Sequence, residues 1–448
     1  MSFEKNEKNQ PATAITRIRI EKLFGQYSYD LEFTQIAGRS APKVGIIYGD
    51  NGTGKTTILE ILFHLLSTAG DRRHRSSLAG IPFLRFSVIL SDKTEISAVR
   101  KHPHITGSYV LRLVTPRKKV MQDKVKATKD GSVSDISPTV ERILKYIDSL
   151  ETPVFFLNDQ RTLLSDQLPV RHFERGTEEI SFERLPREIR QIRPDLRGRA
   201  LDLSIGRTAA WLRRRLIQVS AEGEAEAQQI YAHIVKTLKV PRTEGGNGNI
   251  ERKRLVQSLR ELELRSHLFS KYGLTLKIKV APIIRSLKAS HRKVLPFAAQ
   301  VVSSFIEGQR ARLDSLEKFN DLLNRFVGLI NGFLIDKRII LNVDSGIRIL
   351  KNSGLALEPE KLSSGEKQLL LLFCSALTVT DRMSLFLIDE PEISLNVKWQ
   401  RRLIDSLSDI TKDSQCQFLL ATHSIELLTK HKSHTIKLKP SKIRKEHG

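Results

Sequence analysis

The stretch "YGDNGTGKTT" (residues 48–57) contains the pattern G-x-x-x-x-G-K-[ST] between Gly49 and Thr56. An apolar run, "VGIIY" (44–48), precedes this pattern, and an amphipathic segment, "TTILEILFHLLS" (56–67), follows it. This order predicts a buried strand, a glycine-rich turn and a helix whose first N–H groups face an anion. The stretch therefore predicts a loop that cradles phosphate groups.

The residue types of this loop suit phosphate chemistry. Glycines let the backbone wrap so that N–H groups point at phosphate oxygens, Lys55 neutralises the β and γ phosphates, and the Thr56 hydroxyl can ligate Mg²⁺. The residues that we expect to contact a nucleotide here are Gly49, Asn51, Gly52, Gly54, Lys55, Thr56 and Thr57.

A second motif, "SLFLIDEPEISL" (384–395), places two carboxylates after four apolar residues. It predicts a buried strand that ends at Asp389, where the carboxylate would hold Mg²⁺ or a water of its shell. Glu390, one residue on, would polarise the attacking water. Alone, the motif would also fit an acidic strand end, and its pairing with the phosphate loop favours the catalytic interpretation.

A third motif, "KLSSGEKQLLLLF" (361–373), is a Ser-Ser-Gly turn that opens a helix. The Ser363 hydroxyl and the Gly365 N–H could meet a γ-phosphate at this second helix N-terminus. The structural alternative is a capping box formed by Ser363 and Glu366. The two interpretations are compatible.

A fourth motif, "FLLATHSIELL" (418–428), predicts a further buried strand that ends at Thr422 and His423. A histidine at that point can hydrogen-bond the γ-phosphate or the attacking water. A lone histidine at a strand end is usually structural, but the position of this one after the other three motifs favours a catalytic role.

The four motifs, in this order, resemble those of the ABC-type ATPase heads in the family of SMC, RecF and OLD-like (AAA-type) proteins. The segment "DEPEISLNVKWQ" (389–400) looks most like the OLD-like ATPases of bacterial anti-phage systems, including those of Septu, retron and PARIS systems. The resemblance implies an α/β fold: a P-loop NTPase of ABC type with an antiparallel β subdomain and a large helical insertion. It also implies ATP and Mg²⁺ as ligands.

The resemblance also assigns roles to residues. Thr56, Gln160 of the Q-loop and Asp389 would hold the metal, and Glu390 and His423 would be catalytic. The signature motif would contact nucleotide through Ser363, Ser364, Gly365 and Glu366, with Ser364 and Glu366 standing where transporters commonly carry Gly and Gln. Ser394-Leu395-Asn396 would form the D-loop. The signature serine reaches the opposing subunit in such proteins, which implies a homodimer or higher homo-oligomer with ATP sandwiched between heads.

The patterning divides the chain into five parts: a flexible tail (1–13), the first half of the head (14–160), a helical insertion (161–334), the second half of the head (335–432) and a basic tail (433–448). In the first half, "AITRIRIEKL" and "YSYDLEF" predict a hairpin, and three alternating runs at 83–90, 94–99 and 109–113 predict an antiparallel sheet. The segment at 117–138 is interpreted as a loop, and "TPVFFLNDQ" as a buried strand that ends at Gln160. A strand pair is expected at "RIILNVD" and "IRILKN".

The insertion favours helices, with a break at "RTEGGNGNIER" (242–252). A heptad-like seam runs along its last helix, through Leu316, Phe319, Leu323, Phe326, Ile330 and Phe333. Because the seam is short, we expect a helical hairpin or a short coiled-coil arm rather than a long rod.

The chain carries 74 Lys and Arg against 50 Asp and Glu, a formal charge of +24 that favours polyanionic partners. The segment Arg184–Arg215 is a candidate surface for duplex DNA or an acidic protein, and a solvated helix face is the alternative. The N-terminus lacks an apolar leader, no run is long enough for a membrane span, and Cys374 and Cys416 lie in apolar runs. We therefore expect a cytoplasmic protein with buried free thiols and no membrane partner.

Three kinds of machine fit these motifs. A transporter motor would have a shorter insertion before the signature, and a DNA-repair ATPase of RecF or SMC type would bind duplex DNA. We favour a sensor or scaffold ATPase of an anti-phage defence system. Because the segment after His423 is too short for a nuclease, the effector, a nuclease or toxin, is expected to be a separate protein.

Overall fold

The computed structural model describes residues 13–33, 43–69, 73–160, 163–165, 196–237, 248–291, 294–380, 383–429 and 431–439. Two compact units divide the chain. The head unit comprises Met1–Ala200 and Ser363–Gly448, and the helical unit comprises Leu201–Leu362.

The described strands are β1 (Ile15–Leu23), β2 (Tyr27–Glu32), β3 (Val44–Tyr48), β4 (Arg85–Leu90), β5 (Glu95–Val99), β6 (Tyr109–Val114), β7 (Val120–Val125), β8 (Val154–Leu157), β9 (Leu163–Ser165), β10 (Lys337–Asn342), β11 (Gly346–Lys351), β12 (Ala356–Leu357), β13 (Leu385–Asp389), β14 (Gln417–Thr422) and β15 (Thr435–Lys437). The described α-helices are α1 (Lys55–Leu66), α2 (His74–Gly80), α3 (Pro138–Asp148), α4 (Leu196–Thr237), α5 (Gly248–Ser270), α6 (Ala281–Ala289), α7 (Leu295–Asn331), α8 (Ser364–Thr378), α9 (Val397–Ile410) and α10 (Ile425–Leu428).

One six-stranded sheet of the head unit carries the sequence motifs. Its strand order is β15-β3-β14-β13-β8-β9, and all neighbouring pairs are parallel except β8 with β9. Strands β13 and β14 are buried along their whole length, which explains their unbroken apolar sequences. The register pairs Thr422 with Tyr48 and Asp389 with Ala421. The carboxyl ends of β3, β13 and β14 therefore meet at one edge of the sheet.

A second six-stranded sheet of the head unit is antiparallel, in the order β2-β1-β4-β5-β6-β7. The predicted hairpin and the three alternating runs form β1, β2, β4, β5 and β6, as expected. The loop predicted at 117–138 is wrong in part, because Val120–Val125 pairs with β6 as the edge strand. Only Val125 of this strand is buried. An edge strand with one open face needs few apolar residues, so its sequence looks like a loop.

The fold is that of a P-loop ATPase of ABC type with an antiparallel subdomain and a large helical insertion. In the helical unit, α4 has 42 residues and α7 has 37. All six residues of the predicted seam are buried, from Leu316 to Phe333. The predicted break at 242–252 falls largely outside the described residues, and α5 begins at Gly248.

A small sheet, in the order β10-β11-β12, belongs to the helical unit. The predicted strand pair is its β10 and β11, which the sequence division had placed with the head. The reason for this placement lies in α7, where the Asn331 amide accepts from the Ile339 N–H at 2.7 Å and donates to the Ile339 carbonyl at 3.1 Å. Elsewhere in the described residues, Cys374 and Cys416 are buried free thiols, as predicted, and no helix is long and apolar enough to cross a membrane.

Candidate active site

The phosphate loop joins β3 to α1 and requires glycine at two positions. Gly52 and Gly54 have φ angles of 82° and 88°, in the left-handed region that side chains rarely adopt. A Cβ on Gly54 would also lie 2.6 Å from Cδ2 of Leu23. Gly54 is the N-cap of α1, so the loop delivers the first N–H groups of that helix to the edge of the sheet.

Lys55 lies inside the loop. Its side chain is 5% exposed, and its Nζ donates to the carbonyls of Gly49 at 2.9 Å and Asp50 at 3.1 Å. The same Nζ lies 3.9 Å from Oε1 of Glu390. The ammonium group thus stands between the phosphate loop and the carboxylate after β13.

The other predicted loop residues surround this lysine. Gly49 is buried, Asn51 and Gly52 are exposed, and Thr56 and Thr57 are half-buried at the start of α1. The Tyr29 hydroxyl donates to the Thr53 carbonyl at 2.9 Å, which ties the loop to β2. The loop is therefore anchored at its base while its tip stays open to solvent.

Asp389 supplies a carboxylate that suits a cation. It is 1% exposed, and neither carboxylate oxygen has a hydrogen-bond partner among the residues described. Burial raises its pKa to about 6, although the neighbouring Thr56 hydroxyl lowers that pKa. A buried carboxylate without partners beside a hydroxyl matches the oxygen ligands that Mg²⁺ prefers. The predicted Thr56 and Asp389 therefore fit a magnesium ion.

Two further carboxylates near Asp389 were not predicted from the sequence. Burial raises the pKa of Glu60, and the charges of Asp389 and Asp159 raise it further. The charge of Asp159 also raises the pKa of Asp389. Glu60 stands one helical turn after Thr56, and this spacing was the signal in the sequence.

The structure does not bring Gln160 into this group by any described contact. The predicted strand "TPVFFLNDQ" ends at Leu157 as β8, not at Gln160, which is exposed in the turn that follows. The end of the strand was placed too late, because Asn158 and Asp159, which follow Leu157, are turn-forming residues that already lie outside the strand. The Q-loop role of Gln160 stays a prediction.

Glu390 has the environment of a general base. Its φ is 47°, so the chain turns sharply after β13. Burial is the largest cause that raises its pKa to about 7, the neighbouring Glu392 raises it further, and His423 lowers it. Nδ1 of His423 hydrogen-bonds Oε2 of Glu390, while the histidine side chain stays 51% exposed. A carboxylate with a pKa near neutrality can accept a proton from water and release it again.

Glu392 is a contact residue that the sequence analysis missed. Its side chain is 5% exposed, and Oε1 accepts hydrogen bonds from the Thr422 hydroxyl and from the N–H groups of His423 and Ser424, the latter two at 3.1 Å. The signal in the sequence was the second Glu of "DEPE". Only Asp389 and Glu390 match the catalytic pattern, so Glu392 was interpreted as a surface charge.

The signature motif lies at the start of α8. Ser363 and Glu366 form the capping box, because the Ser363 N–H donates to Oε2 of Glu366 at 2.8 Å and the Glu366 N–H donates to the Ser363 hydroxyl at 3.3 Å. Ser363 and Ser364 are exposed. A Cβ on Gly365 would lie 2.5 Å from the Ser394 carbonyl, so glycine is required there. The structural interpretation is confirmed, and the phosphate contact of Ser363 stays a prediction.

The predicted basic surface Arg184–Arg215 is described only in part, because residues 184–195 lie outside the described residues. At its other end, Arg213 and Arg214 are exposed on α4. The Arg213 guanidinium donates to the Asp344 carbonyl at 3.4 Å, and that of Arg215 donates to Oε1 of Gln218 at 3.0 Å. These hydrogen bonds do not test binding of DNA or of an acidic protein, so the role of this surface stays a prediction.

The comparisons with known proteins agree with a nucleotide site. Residues 255–429 match the family described as "AAA domain, putative AbiEii toxin, Type IV TA system". The "Probable iron chelatin transport ATP-binding protein" of two Helicobacter pylori strains is 32% identical over 94 residues, 21% of this chain. The chain spans only 34% of the length of those curated relatives.

Solved structures of SMC heads are similar over most of the chain. The Smc head domain bound to the C-terminal domain of ScpA, from Pyrococcus furiosus, is 15% identical with a TM-score of 0.38, over 95% of this chain and 94% of that one. The SMC head domain from Thermotoga maritima is 13% identical with a TM-score of 0.31, over 93% and 91% of the two chains. The site geometry, the partial family match and the 94-residue match to an ATP-binding protein all agree with a nucleotide-binding site.

Proposed function

We propose that this protein is an ATP-hydrolysing switch that acts as the sensor or scaffold of an anti-phage defence module and holds a separate effector, a nuclease or toxin. The observation that carries the switch is the position of Glu390, with one carboxylate oxygen beside Lys55 and the other bonded to His423. A base beside the lysine of a phosphate loop is placed to take a proton from the water that attacks the terminal phosphate of ATP.

Each residue of the site has a role in the hydrolysis of ATP. Lys55 and the N-terminal N–H groups of α1 bind the phosphates, and Thr56 and Asp389 would hold Mg²⁺, which neutralises charge on the phosphates when it is bound. Glu390 takes a proton from the attacking water, and His423 fixes the orientation of that carboxylate. Such a base contributes roughly 10²–10⁴ in rate.

The dimer is supported by two features that would meet across a pair of subunits, the phosphate loop and the N-terminus of α8. Ser363 and Ser364 are exposed at the N-terminus of α8, where the first N–H groups of a helix favour an anion. A second copy would place this helix end on the nucleotide of the first, in a head-to-tail pair with two-fold symmetry. ATP would shift the population toward the closed pair, and hydrolysis would release it.

The defence part of the proposal is supported by the description of the matching family, which names a putative toxin of a type IV TA system. The formal charge of +24 also favours an acidic partner.

We expect a second polypeptide to co-purify with the tagged wild-type protein from its native cells, in a fixed ratio. Native mass spectrometry with and without ATP would measure that ratio for the wild type, Lys55→Ala and Glu390→Gln. Because ATP drives closure, ATP should change retention of the partner in the wild type but not in Lys55→Ala. A wild-type protein that is recovered without any stoichiometric partner contradicts the effector part.

A second candidate function, a DNA-repair type ATPase that binds duplex DNA, is favoured by a cavity in the helical unit. This cavity, of about 410 Å³, is lined by Arg252, Lys253, Val256, Gln257, Arg260 and Lys288. Four of the six are cations, and no carboxylate lines it. The Arg252 guanidinium is fixed by a bond to the Ser290 carbonyl at 2.9 Å. Cations of α5 and α6 that make no ion pair with a described carboxylate suit the phosphates of a nucleic acid backbone.

If the protein binds duplex DNA there, Arg260→Glu/Lys288→Glu should weaken binding at least about tenfold and reduce the slope of log K against log salt by about 2, because each lost phosphate contact removes about 0.9. Fluorescence anisotropy across a salt series measures both. The control is Lys318→Glu/Arg348→Glu, which makes the same change in charge at two exposed positions of the same unit. Equal losses in both variants would indicate a general field effect and count against the cavity.

A further inference from the structure

We propose that Glu392 and Gln400 form a positioning device that joins the turn at Ser394–Asn396 to the segment at Thr422–Ser424, and so controls where His423 and Glu390 lie. This inference rests on the proposed function, in which the signature motif moves when the dimer closes. Movement of the signature on closure of the dimer would then reach the catalytic pair through side chains of the same subunit.

Glu392 fixes the end of β14. One of its two carboxylate oxygens, Oε1, accepts hydrogen bonds from three consecutive residues: from the Thr422 hydroxyl, the His423 N–H and the Ser424 N–H. Nδ1 of His423 lies 3.4 Å from the same oxygen. Hydrogen bonds to an ionised carboxylate are shorter and stronger than neutral ones. The backbone that carries the histidine is therefore held by one buried side chain.

Gln400 connects this segment to the turn. Its Nε2 donates to the Leu395 carbonyl at 2.8 Å, and its Oε1 accepts from the Ser424 hydroxyl at 2.8 Å. Both ends of one amide are thus used, each on a different loop. A shift of the turn would pull on Ser424, the residue next to His423.

The turn is also packed against the signature. Gly365 lies so close to the Ser394 carbonyl that an added Cβ would be 2.5 Å from it, and Ser394 has a φ of 66°. Backbones that approach this closely cannot move independently. A displacement at the start of α8 is therefore passed to the turn, then through Gln400 and Ser424 to His423.

A purely structural role does not account for the chemistry of Glu392. Its other oxygen, Oε2, is buried without a hydrogen-bond partner in the described part of the chain. A buried carboxylate beside Glu390 costs free energy unless the hydrogen bonds that it accepts offset that cost. An acceptor strong enough to hold two backbone N–H groups and a hydroxyl at one oxygen is a property that a carboxylate supplies.

The test compares Glu392→Gln with Gln400→Met, which keep the size of the side chain and remove the charge or both amide bonds. We expect each to lower kcat for ATP at least about tenfold and to leave KM within about threefold, because the phosphate loop keeps its contacts. The amide hydrogens of His423 and Ser424 should exchange at least about tenfold faster in Glu392→Gln. If both residues act through one device, the double variant should lose no more activity than the single variant with the larger loss.

Arg401→Met is the matched control. Arg401 bonds Glu426 at 2.7 Å and so also joins α9 to the segment after β14, but outside the proposed device. In Arg401→Met, both kcat for ATP and the amide hydrogen exchange of residues 422–424 should equal those of the wild type. Losses in Arg401→Met that match those in Gln400→Met would overturn the inference, as would an unchanged kcat in Glu392→Gln or a KM that rises as much as kcat falls.

The exchange measurement separates this inference from the proposed function. If the wild type hydrolyses no ATP, the proposed function fails, but faster exchange at His423 and Ser424 in Glu392→Gln and Gln400→Met would still support the device. Exchange equal to that of the wild type in both variants would overturn it, whatever the ATPase activity.

Discussion

Replacement of Glu390 by Gln is expected to reduce ATP hydrolysis at least about 10²-fold while nucleotide binding is kept. The amide has the shape of the carboxylate, so the loop around Lys55 and the contact with His423 stay similar. It cannot accept a proton from water at neutral pH, whereas the pKa of about 7 lets Glu390 do so. Single-turnover hydrolysis and the affinity for a fluorescent ATP analogue measure the two effects separately.

The same variant should accumulate the closed dimer, because ATP binds but is not consumed. Light scattering with ATP would show a dimer that persists in Glu390→Gln and decays in the wild type as ATP is hydrolysed. Glu426→Gln is the matched control, since it makes the same change in the head unit at a residue bonded to Arg401 instead of His423. Hydrolysis within threefold of the wild type in Glu390→Gln would show that another group is the base.

Much of this site could be predicted because its chemistry is written in local patterns. The phosphate loop follows a strand and precedes a helix, so Lys55 and Thr56 could be located from local spacing, and Asp389 from the apolar run before it. The parallel strands β3, β13 and β14 are buried on both faces, and their apolar runs are unambiguous. Each of these features depends on neighbours within about ten residues of the chain.

The missed residues depend on contacts between distant segments. Glu392 bonds residues about thirty positions away, and Asp159 acts on Asp389 through space. A single sequence gives no pairing information for such contacts, so both residues look like ordinary surface carboxylates. The edge strand β7 was missed for a related reason, because its pairing with β6 uses backbone groups and leaves little apolar signal.

A mixture of two inactive variants is expected to recover ATPase activity if the dimer is built head to tail. Lys55→Ala removes the cation that is held by Gly49 and Asp50, and should abolish nucleotide binding. Ser363→Asp keeps the N-cap of α8, since Asp caps helices as well as Ser, but places a negative charge where a phosphate is expected. Each variant alone should lose at least about 10²-fold in kcat/KM, because repelling one phosphate removes an interaction made in the transition state.

In the mixed dimer, the phosphate loop of the Ser363→Asp subunit faces the intact signature of the Lys55→Ala subunit. Random mixing makes half of the dimers mixed, and each mixed dimer has one intact site of two, so activity should return to about one quarter of the wild type. A mixture of Lys55→Ala with Glu390→Gln is the control, because both changes affect the same half-site and no intact combination forms. Recovery in the first mixture alone requires that Ser363 acts on the nucleotide of its partner, whereas no recovery in either would place the signature and the phosphate loop of one subunit at the same nucleotide.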